Sequence, residues 1–473
     1  MKPRNMTKFD LKLAVLALPA LLAACAGAPP AAAPDTTMEL PVAAAAAQQP
    51  VRADWWTLYG DAQLNALVAE ALANNTDLAR AAARIDESRA LVRLARADAL
   101  PSVGATAGAA RQRSGANAGL PAPVTANNFN LGLNVSWEVD LWGRLAAGSR
   151  AAREDLAATT LDRDALRTAL AAQVVQAYAA VQAIDAQTLA FREAVVAQRD
   201  GARLQRLREQ GGELSQLDLR QIEAELAGNE SQLLKLERAR GETSRALAVL
   251  LGRSPRAVWD AAIAAPAKPL AVTGGVPAGL PSTLLQQRPD VAAAEARLRA
   301  AGARVDVARA AYLPGVALSA SLGKASTDLS NLLDGPSTIW SLVASLTQPI
   351  WNAGRLDAGR EAVLARQRQA ELDYRDAVAR AFREVRDALD AQAEASASLA
   401  LARQRADALR QASRLTQLRV DAGESSRLNA IEAERIALAA QSQLADQQRA
   451  LAAAQADVFR ALGGGWVAES SSR

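Results

Sequence analysis

Apolar and polar positions alternate with two different periods along this chain, and the two periods keep to separate stretches. A helical period covers 61–99, 282–312, 144–208 and 355–419, and helices return over about 214–250 and 425–462. The 144–208 and 355–419 stretches lack proline and are rich in Ala, Leu, Arg, Glu and Gln, all good helix formers. At 1.5 Å per residue, about 65 residues reach roughly 100 Å, a length suited to a coiled coil or a tunnel wall. Gln210-Gly211-Gly212 and Asp421-Ala422-Gly423 interrupt these helices and predict the reversals of two long hairpins.

Between the helices the period is two. Val103, Ala105, Ala107 and Ala109 alternate with Ser102, Gly104, Thr106 and Gly108. Phe129, Leu131, Leu133, Val135 and Trp137 alternate with Asn130, Gly132, Asn134 and Ser136. Val316, Leu318, Ala320 and Leu322 oppose Ala317, Ser319, Ser321 and Gly323, and Leu342, Ala344 and Leu346 oppose Ser341, Val343, Ser345 and Thr347 less cleanly. Four strands follow, at about 102–113, 127–138, 315–326 and 338–349. Their pattern fits a soluble sandwich or a membrane barrel with a small-polar, wet inner face. Trp137, Trp142, Trp340 and Trp351 stand near strand ends, where a membrane belt lies, although tryptophan there also serves as plain core. Four strands are too few to enclose a water-filled lumen, and open sheet edges in lipid are untenable. A barrel therefore needs copies from other chains, and three chains supply twelve strands.

The chain also repeats itself at a spacing of about 211 to 213 residues. Asp77 to Pro101 aligns with Asp290 to Pro314, and from Arg144 onward Gly212-Glu213 falls on Gly423-Glu424 and Leu251-Gly252 on Leu462-Gly463. The expected layout is a first repeat over 51–262 with its long hairpin at 144–250, a linker over 263–280, a second repeat over 281–466 with its hairpin at 353–462, and a tail over 467–473.

The N-terminus reads as an address. Lys2, Arg4, Lys8 and Lys12 face only Asp10, so most of the formal net charge of +4 sits in the first twelve residues. Little basic charge remains for binding nucleic acid. The apolar run Leu11 to Ala24 is too short to span a bilayer comfortably. It ends at Leu22-Ala23-Ala24-Cys25, which resembles the lipobox of bacterial lipoproteins; an ordinary signal peptide with a chance cysteine is the alternative. On the lipoprotein reading, 1–24 is a signal peptide and Cys25 carries diacylglycerol and a fatty acyl chain. The stretch 25–50, rich in Ala and Pro, is then a flexible tether, and Ala26 leans towards the outer membrane. Cys25 is the only cysteine and there is no histidine, so internal disulfides, Cys/His metal sites and imidazole catalysis are excluded. The rival enzymatic reading is a carboxylate-only enzyme, with Glu138 and Asp140 close together, but no cleft-forming fold is suggested.

Several segments carry a family resemblance. They are Asp54-Trp55-Trp56, Asn74-Asn75-Thr76-Asp77-Leu78, Trp137-Glu138-Val139-Asp140-Leu141-Trp142-Gly143-Arg144, Arg288-Pro289-Asp290-Val291 and Ala461-Leu462-Gly463-Gly464-Gly465-Trp466. With the duplication, the chain resembles the TolC-like outer-membrane factors, in their lipoprotein (NodT-type) branch. One departure is Trp351, where the family usually has Phe.

The resemblance implies a mainly α fold with a membrane β-barrel part: a homotrimer, a twelve-stranded barrel in the outer membrane and a helical tunnel across the periplasm. It implies no enzymatic activity and no resident cofactor or metal. The implied partners are outer-membrane lipid, a periplasmic adaptor and an inner-membrane pump of RND type, with small molecules leaving through the lumen. It places adaptor docking at the two hairpin tips, which share the pattern Leu-Arg-x3-Gly-Glu-x-Ser-x-Leu: Leu207, Arg208, Gly212, Glu213, Ser215 and Leu217, then Leu418, Arg419, Gly423, Glu424, Ser426 and Leu428. It places an aperture gate at Leu428, Glu432 and Arg435, whose first-repeat counterparts Gln221 and Ala224 are uncharged. Plain helix-reversing loops and a solvated ion pair are the simpler readings of the same residues. Rival functions are a channel for type I protein secretion and a periplasmic coiled-coil adaptor or scaffold.

Overall fold

The computed structural model describes residues 53–115, 123–266, 268–272 and 288–464. The signal segment, Cys25, the tether, the tail and part of the linker lie outside the described residues. The elements are α1 (Ala62–Asn74), α2 (Thr76–Ala97), β1 (Ser102–Arg113), β2 (Thr125–Val139), α3 (Arg144–Gln210), α4 (Gln216–Leu250) and α5 (Pro255–Trp259). They continue with α6 (Pro289–Ala310), β3 (Gly315–Ser326), β4 (Thr338–Thr347), α7 (Arg355–Asp421) and α8 (Arg427–Ala461). The equivalent long helices α3 and α7 have 67 residues each, and α4 and α8 have 35 each. The order of elements thus repeats as the sequence does. Where the hydrophobic period runs on through 61–99, the structure has two helices, because Asn75 leaves the helical backbone. Its side-chain nitrogen donates to the Leu250 carbonyl at 2.9 Å, while its side-chain oxygen accepts from the Asp77 and Leu78 amides and caps α2.

The chain divides into two compact units. One contains the four strands with the flanking stretches 85–158 and 294–375. Its sheet is antiparallel throughout, in the order β1-β2-β3-β4. β2 closes the first repeat's strand pair and β3 opens the second's, so their ladder, from Phe129↔Ser326 to Val139↔Val316, is the seam between the halves. At that seam Gly132 faces Gly323, and a Cβ on Gly323 would lie 2.5 Å from the Leu131 carbonyl oxygen, so only glycine fits. Each long helix starts in this unit behind a left-handed glycine, Gly143 (φ 72°) and Gly354 (φ 78°). Asp140 accepts from the Leu145 and Ala146 amides and so caps α3, while Arg144 forks onto Glu138.

The other unit holds the packed core. Trp55 is fully buried and stacks on Phe459, with ring centroids 5.0 Å apart. Leu64, Val68, Val174, Val175, Tyr178, Leu247 and Leu251 surround them, and the Tyr59 hydroxyl donates to the Ala452 carbonyl at 2.9 Å. On α8 the inward positions are small, among them Ala437, Ala440, Ala445, Ala452 and Ala456, which lets neighbouring helices approach closely. Arg288, with its side chain 6% exposed, ties α6, α7 and α8 together. It pairs with Asp290 and Glu384 and donates to the Ala461 carbonyl at 2.8 Å. A buried cation with these three partners is satisfied where it stands and costly to orphan.

Candidate functional site

The sheet presents two faces of opposite character. Residues directly across an antiparallel ladder share a face. The register therefore puts Val103, Ala105, Ala107 and Ala109 of β1 with Phe129, Leu131, Leu133, Val135, Trp137 and Val139 of β2. It carries the same face on through Val316, Leu318, Ala320 and Leu322 of β3 and Trp340, Leu342, Ala344 and Leu346 of β4. The opposite face is small and polar, with Gly104, Thr106, Gly108, Asn130, Asn134, Ser136, Ser319, Ser321 and Ser341. There Ser102 and Ser136 hydrogen-bond across β1 and β2 at 2.7 Å, as do Ser321 and Ser341 across β3 and β4 at 2.8 Å. The side chains of Asn134 and Asn130 lie over Gly104 and Gly108, in space that a Cβ would contest. β4 departs from the pattern at Ile339 and Val343, which share the polar face with Gly323 and Ser319.

A soluble sandwich covers one face of each sheet. Here, among the described residues, neither face is covered: Leu342 is 74% exposed and Leu322 59%. The outer edges of β1 and β4 have no strand partner among the described residues. Of the four candidate belt residues, Trp340 lies on the apolar face of β4 and Trp351 follows that strand; both are open to solvent in the single chain. Trp137 and Trp142 are half-buried, their indole N–H groups donating to the Ala99 carbonyl at 3.1 Å and the Pro314 carbonyl at 2.7 Å.

The two hairpin tips are the same turn built twice. Gly212 and Gly423 both sit at φ 77°, a left-handed conformation that glycine adopts at little cost. Gly212 and Glu213 donate back to the Glu209 and Arg208 carbonyls, and Gly423 and Glu424 to those of Val420 and Arg419, the Schellman pattern in each case. Arg208 faces Glu213 across the turn at 3.6 Å and Arg419 faces Glu424 at 3.8 Å. Ser215 caps α4 by accepting from the Asp218 amide, and Ser426 caps α8 by accepting from the Asn429 amide. The turn thus accounts for the Arg, Gly, Glu and Ser of the shared pattern. It does not account for the leucines: Leu207, Leu217, Leu418 and Leu428 all lie exposed.

One turn beyond Leu428, α8 carries Glu432 and Arg435 on a common face. Arg435 forks onto Glu432 at 2.9 and 2.6 Å within the same chain. Hydrogen bonding to Arg435 holds the Glu432 carboxyl below its ordinary value. A second polar cluster escapes a reading of the sequence. Asn229 donates to Gln198 at 2.9 Å, and Glu434, Glu225 and Arg427 line a small cleft beside them, joining α8 to α3 and α4. Burial pushes the Glu434 carboxyl up, Glu225 adds to the shift, and Gln198 and Arg427 oppose it. The only sequence signal for this cluster is a polar residue at a buried helical position, Asn229, and its partners depend on how separate helices register.

Among the described residues no group of three His, Cys, Asp or Glu side chains is placed to hold a metal, and no helix is long and apolar enough to cross a membrane. A family model described as "Outer membrane efflux protein" matches residues 67–253 and 280–464, once for each repeat. The pyoverdine export outer membrane protein OpmQ of Pseudomonas aeruginosa is 34% identical over 421 residues, covering 88% of either chain. The outer membrane protein OprJ of the same organism is 34% identical over 484 residues, covering 98% of this chain and 97% of its own. Among solved structures, the Campylobacter jejuni CmeC outer membrane channel superposes with a TM-score of 0.86 at 25% identity, over 92% of this chain and 95% of that one.

Proposed function

This chain belongs to the outer membrane efflux protein family, and from that premise we propose that three copies close one channel, lipid-anchored and docked through its hairpin tips. It is an outer-membrane efflux channel subunit and not an enzyme. The observation that carries the trimer is a sheet that is uncovered among the described residues, apolar on one side, small and polar on the other, with two edges that have no strand partner there. Unpaired backbone groups in hydrocarbon cost several kcal/mol each, so β1 of one copy takes β4 of the next as its partner. Three copies then give twelve strands around a wet lumen.

Cys25 carries the acyl anchor, and the tether over 25–50 leads from it into the folded chain. The exposed leucines of the two tips provide the apolar contact for a periplasmic adaptor, which joins the channel to an inner-membrane pump of RND type. Leu428, Glu432 and Arg435 line the aperture, where ion pairs from Glu432 and Arg435 to neighbouring copies, exchanged for the pair within one chain, hold a closed state that adaptor binding releases. Small molecules are the cargo; the pump selects among them, since the polar face of the sheet has few features to discriminate by.

The test is the mass of the detergent-purified protein by native mass spectrometry, together with its conductance in a planar bilayer. Three chains and a conducting pore are expected. A water-soluble monomer recovered without detergent overturns the trimer. Unchanged conductance in both Glu432→Ala and Arg435→Ala removes the gate assignment, and an N-terminal peptide without acyl mass removes the anchor.

A further inference from the structure

The apolar face of the sheet ends in two arginines that neither the fold nor the channel reading uses. On β2 that face runs from Val139 to Phe129. Ten residue steps at about 3.4 Å, on a strand tilted by about 40°, rise roughly 26 Å, close to the apolar band of an outer-membrane barrel. Beyond Phe129 the same face continues as Asn127 and Thr125, and directly across from them on β1 stand Arg111 and Arg113. They lie one and two face positions past Ala109, so about 5 and 10 Å beyond the apolar band along the membrane normal.

This end of the sheet is the one away from the helices. α2 leads into β1 at Ser102, and β2 leads out to α3 at Val139, both at the opposite end. On the channel reading the arginines therefore stand at the outer leaflet, at headgroup depth. Both are exposed, and among the described residues neither has a carboxylate partner. Lys324, the remaining cation on that face, is already committed, donating to the Leu333 and Asp334 carbonyls at 2.7 and 2.8 Å.

We propose that Arg111 and Arg113 form a headgroup site for phosphorylated lipid of the outer leaflet, repeated once per chain around the barrel rim. A guanidinium forks onto two phosphate oxygens, and its apolar stem lies along the lipid-facing surface while its head reaches the phosphates. Two such groups two residues apart on one strand sit on the same side of the sheet, roughly 7 Å apart, and engage adjacent phosphates of one headgroup or of neighbouring lipids. The commitment to lipid, and not to free anions, rests on depth: the site adjoins the apolar run of β1 and β2, Val103 to Ala109 beside Phe129 to Val139, which fixes acyl chains alongside it. The proposal depends on the barrel reading above.

The experiment uses the full chain, purified in detergent and equilibrated with a bisphosphorylated glycolipid or with the same lipid stripped of its phosphates; retained lipid is counted by native mass spectrometry. The wild type is expected to prefer the phosphorylated form. An Arg111→Gln/Arg113→Gln variant is expected to lose about 30-fold of that preference, and an Arg111→Lys/Arg113→Lys variant to keep most of it. Equal retention by wild type and the glutamine variant overturns the proposal, as does displacement of the lipid by millimolar inorganic phosphate. A control separates this from failure of the barrel reading: brominated acyl chains should quench the fluorescence that disappears in Trp340→Phe. Quenching together with equal retention sinks the headgroup site and leaves the barrel standing. Absence of quenching sinks both.

Discussion

Trp55 and Leu342 are both large apolar side chains, one sealed at 0% exposure and the other open at 74%. Trp55 belongs to a core that the chain completes with its own residues, from the Trp55–Tyr59 turn and α1 through α3, α4 and α8. Leu342 belongs to a sheet whose faces and edges stand open among the described residues. The difference teaches where folding is autonomous. The helical core satisfies itself, whereas the sheet borrows its burial from lipid and its hydrogen bonds from other copies.

The largest expected effect falls on the self-sufficient side. Trp55→Ala empties the space against Phe459 and should cost about 3–5 kcal/mol, read from denaturant unfolding in detergent. A cost near zero would mean that the core is not the autonomous part. Next comes the sheet. Leu133→Arg should cost about 2–4 kcal/mol when the protein folds into a bilayer, while Ser321→Arg on the opposite face should leave folding nearly unchanged and lower conductance. Equal costs on the two faces would erase the distinction between them. A smaller effect lies at the tips. Gly423→Ala forces a side chain into the left-handed region, at about 1–2 kcal/mol, and Gly212→Ala should match it, since both turns have the same geometry; the shift in thermal midpoint checks both.

The smallest effect is a slope. Glu434 has its folded carboxyl raised by burial, so the folded state keeps this proton at pH values where the unfolded chain has lost it. The contribution to stability is fully present below the ordinary carboxylate value and is lost as pH rises through the raised one. Glu434→Gln should flatten that part of the stability–pH curve and stabilise the α8 contact at neutral pH, measured by hydrogen exchange along α8. An unaltered curve would take Glu434 out of the contact.

Much of this architecture was legible from residue order alone. Period-two runs such as Phe129 to Trp137 declare a strand and its two faces, and proline-free stretches such as Arg355–Asp421 declare a long helix, because both signals are local. The duplication then transfers each feature from one half to the other. Asn75 shows where locality fails: the hydrophobic period runs through it, and the break becomes visible only when its side-chain nitrogen meets the Leu250 carbonyl. Likewise the spacing of Glu432 and Arg435 shows that they share a helix face, while the pairing within one chain needs their rotamers. The cluster of Gln198, Asn229 and Glu434 was illegible, since it exists only through the alignment of separate helices.

The β2–β3 seam also carries a consequence for biosynthesis. Val139 pairs with Val316, and the whole first hairpin is threaded between them. At roughly 5–20 residues per second, the ribosome needs on the order of ten to thirty seconds to deliver the later strand after the earlier one. Through that interval a greasy β1–β2 ribbon is in circulation with nothing to pair against. The nascent protein therefore has to be escorted, because its most aggregation-prone element is finished long before its mate is made.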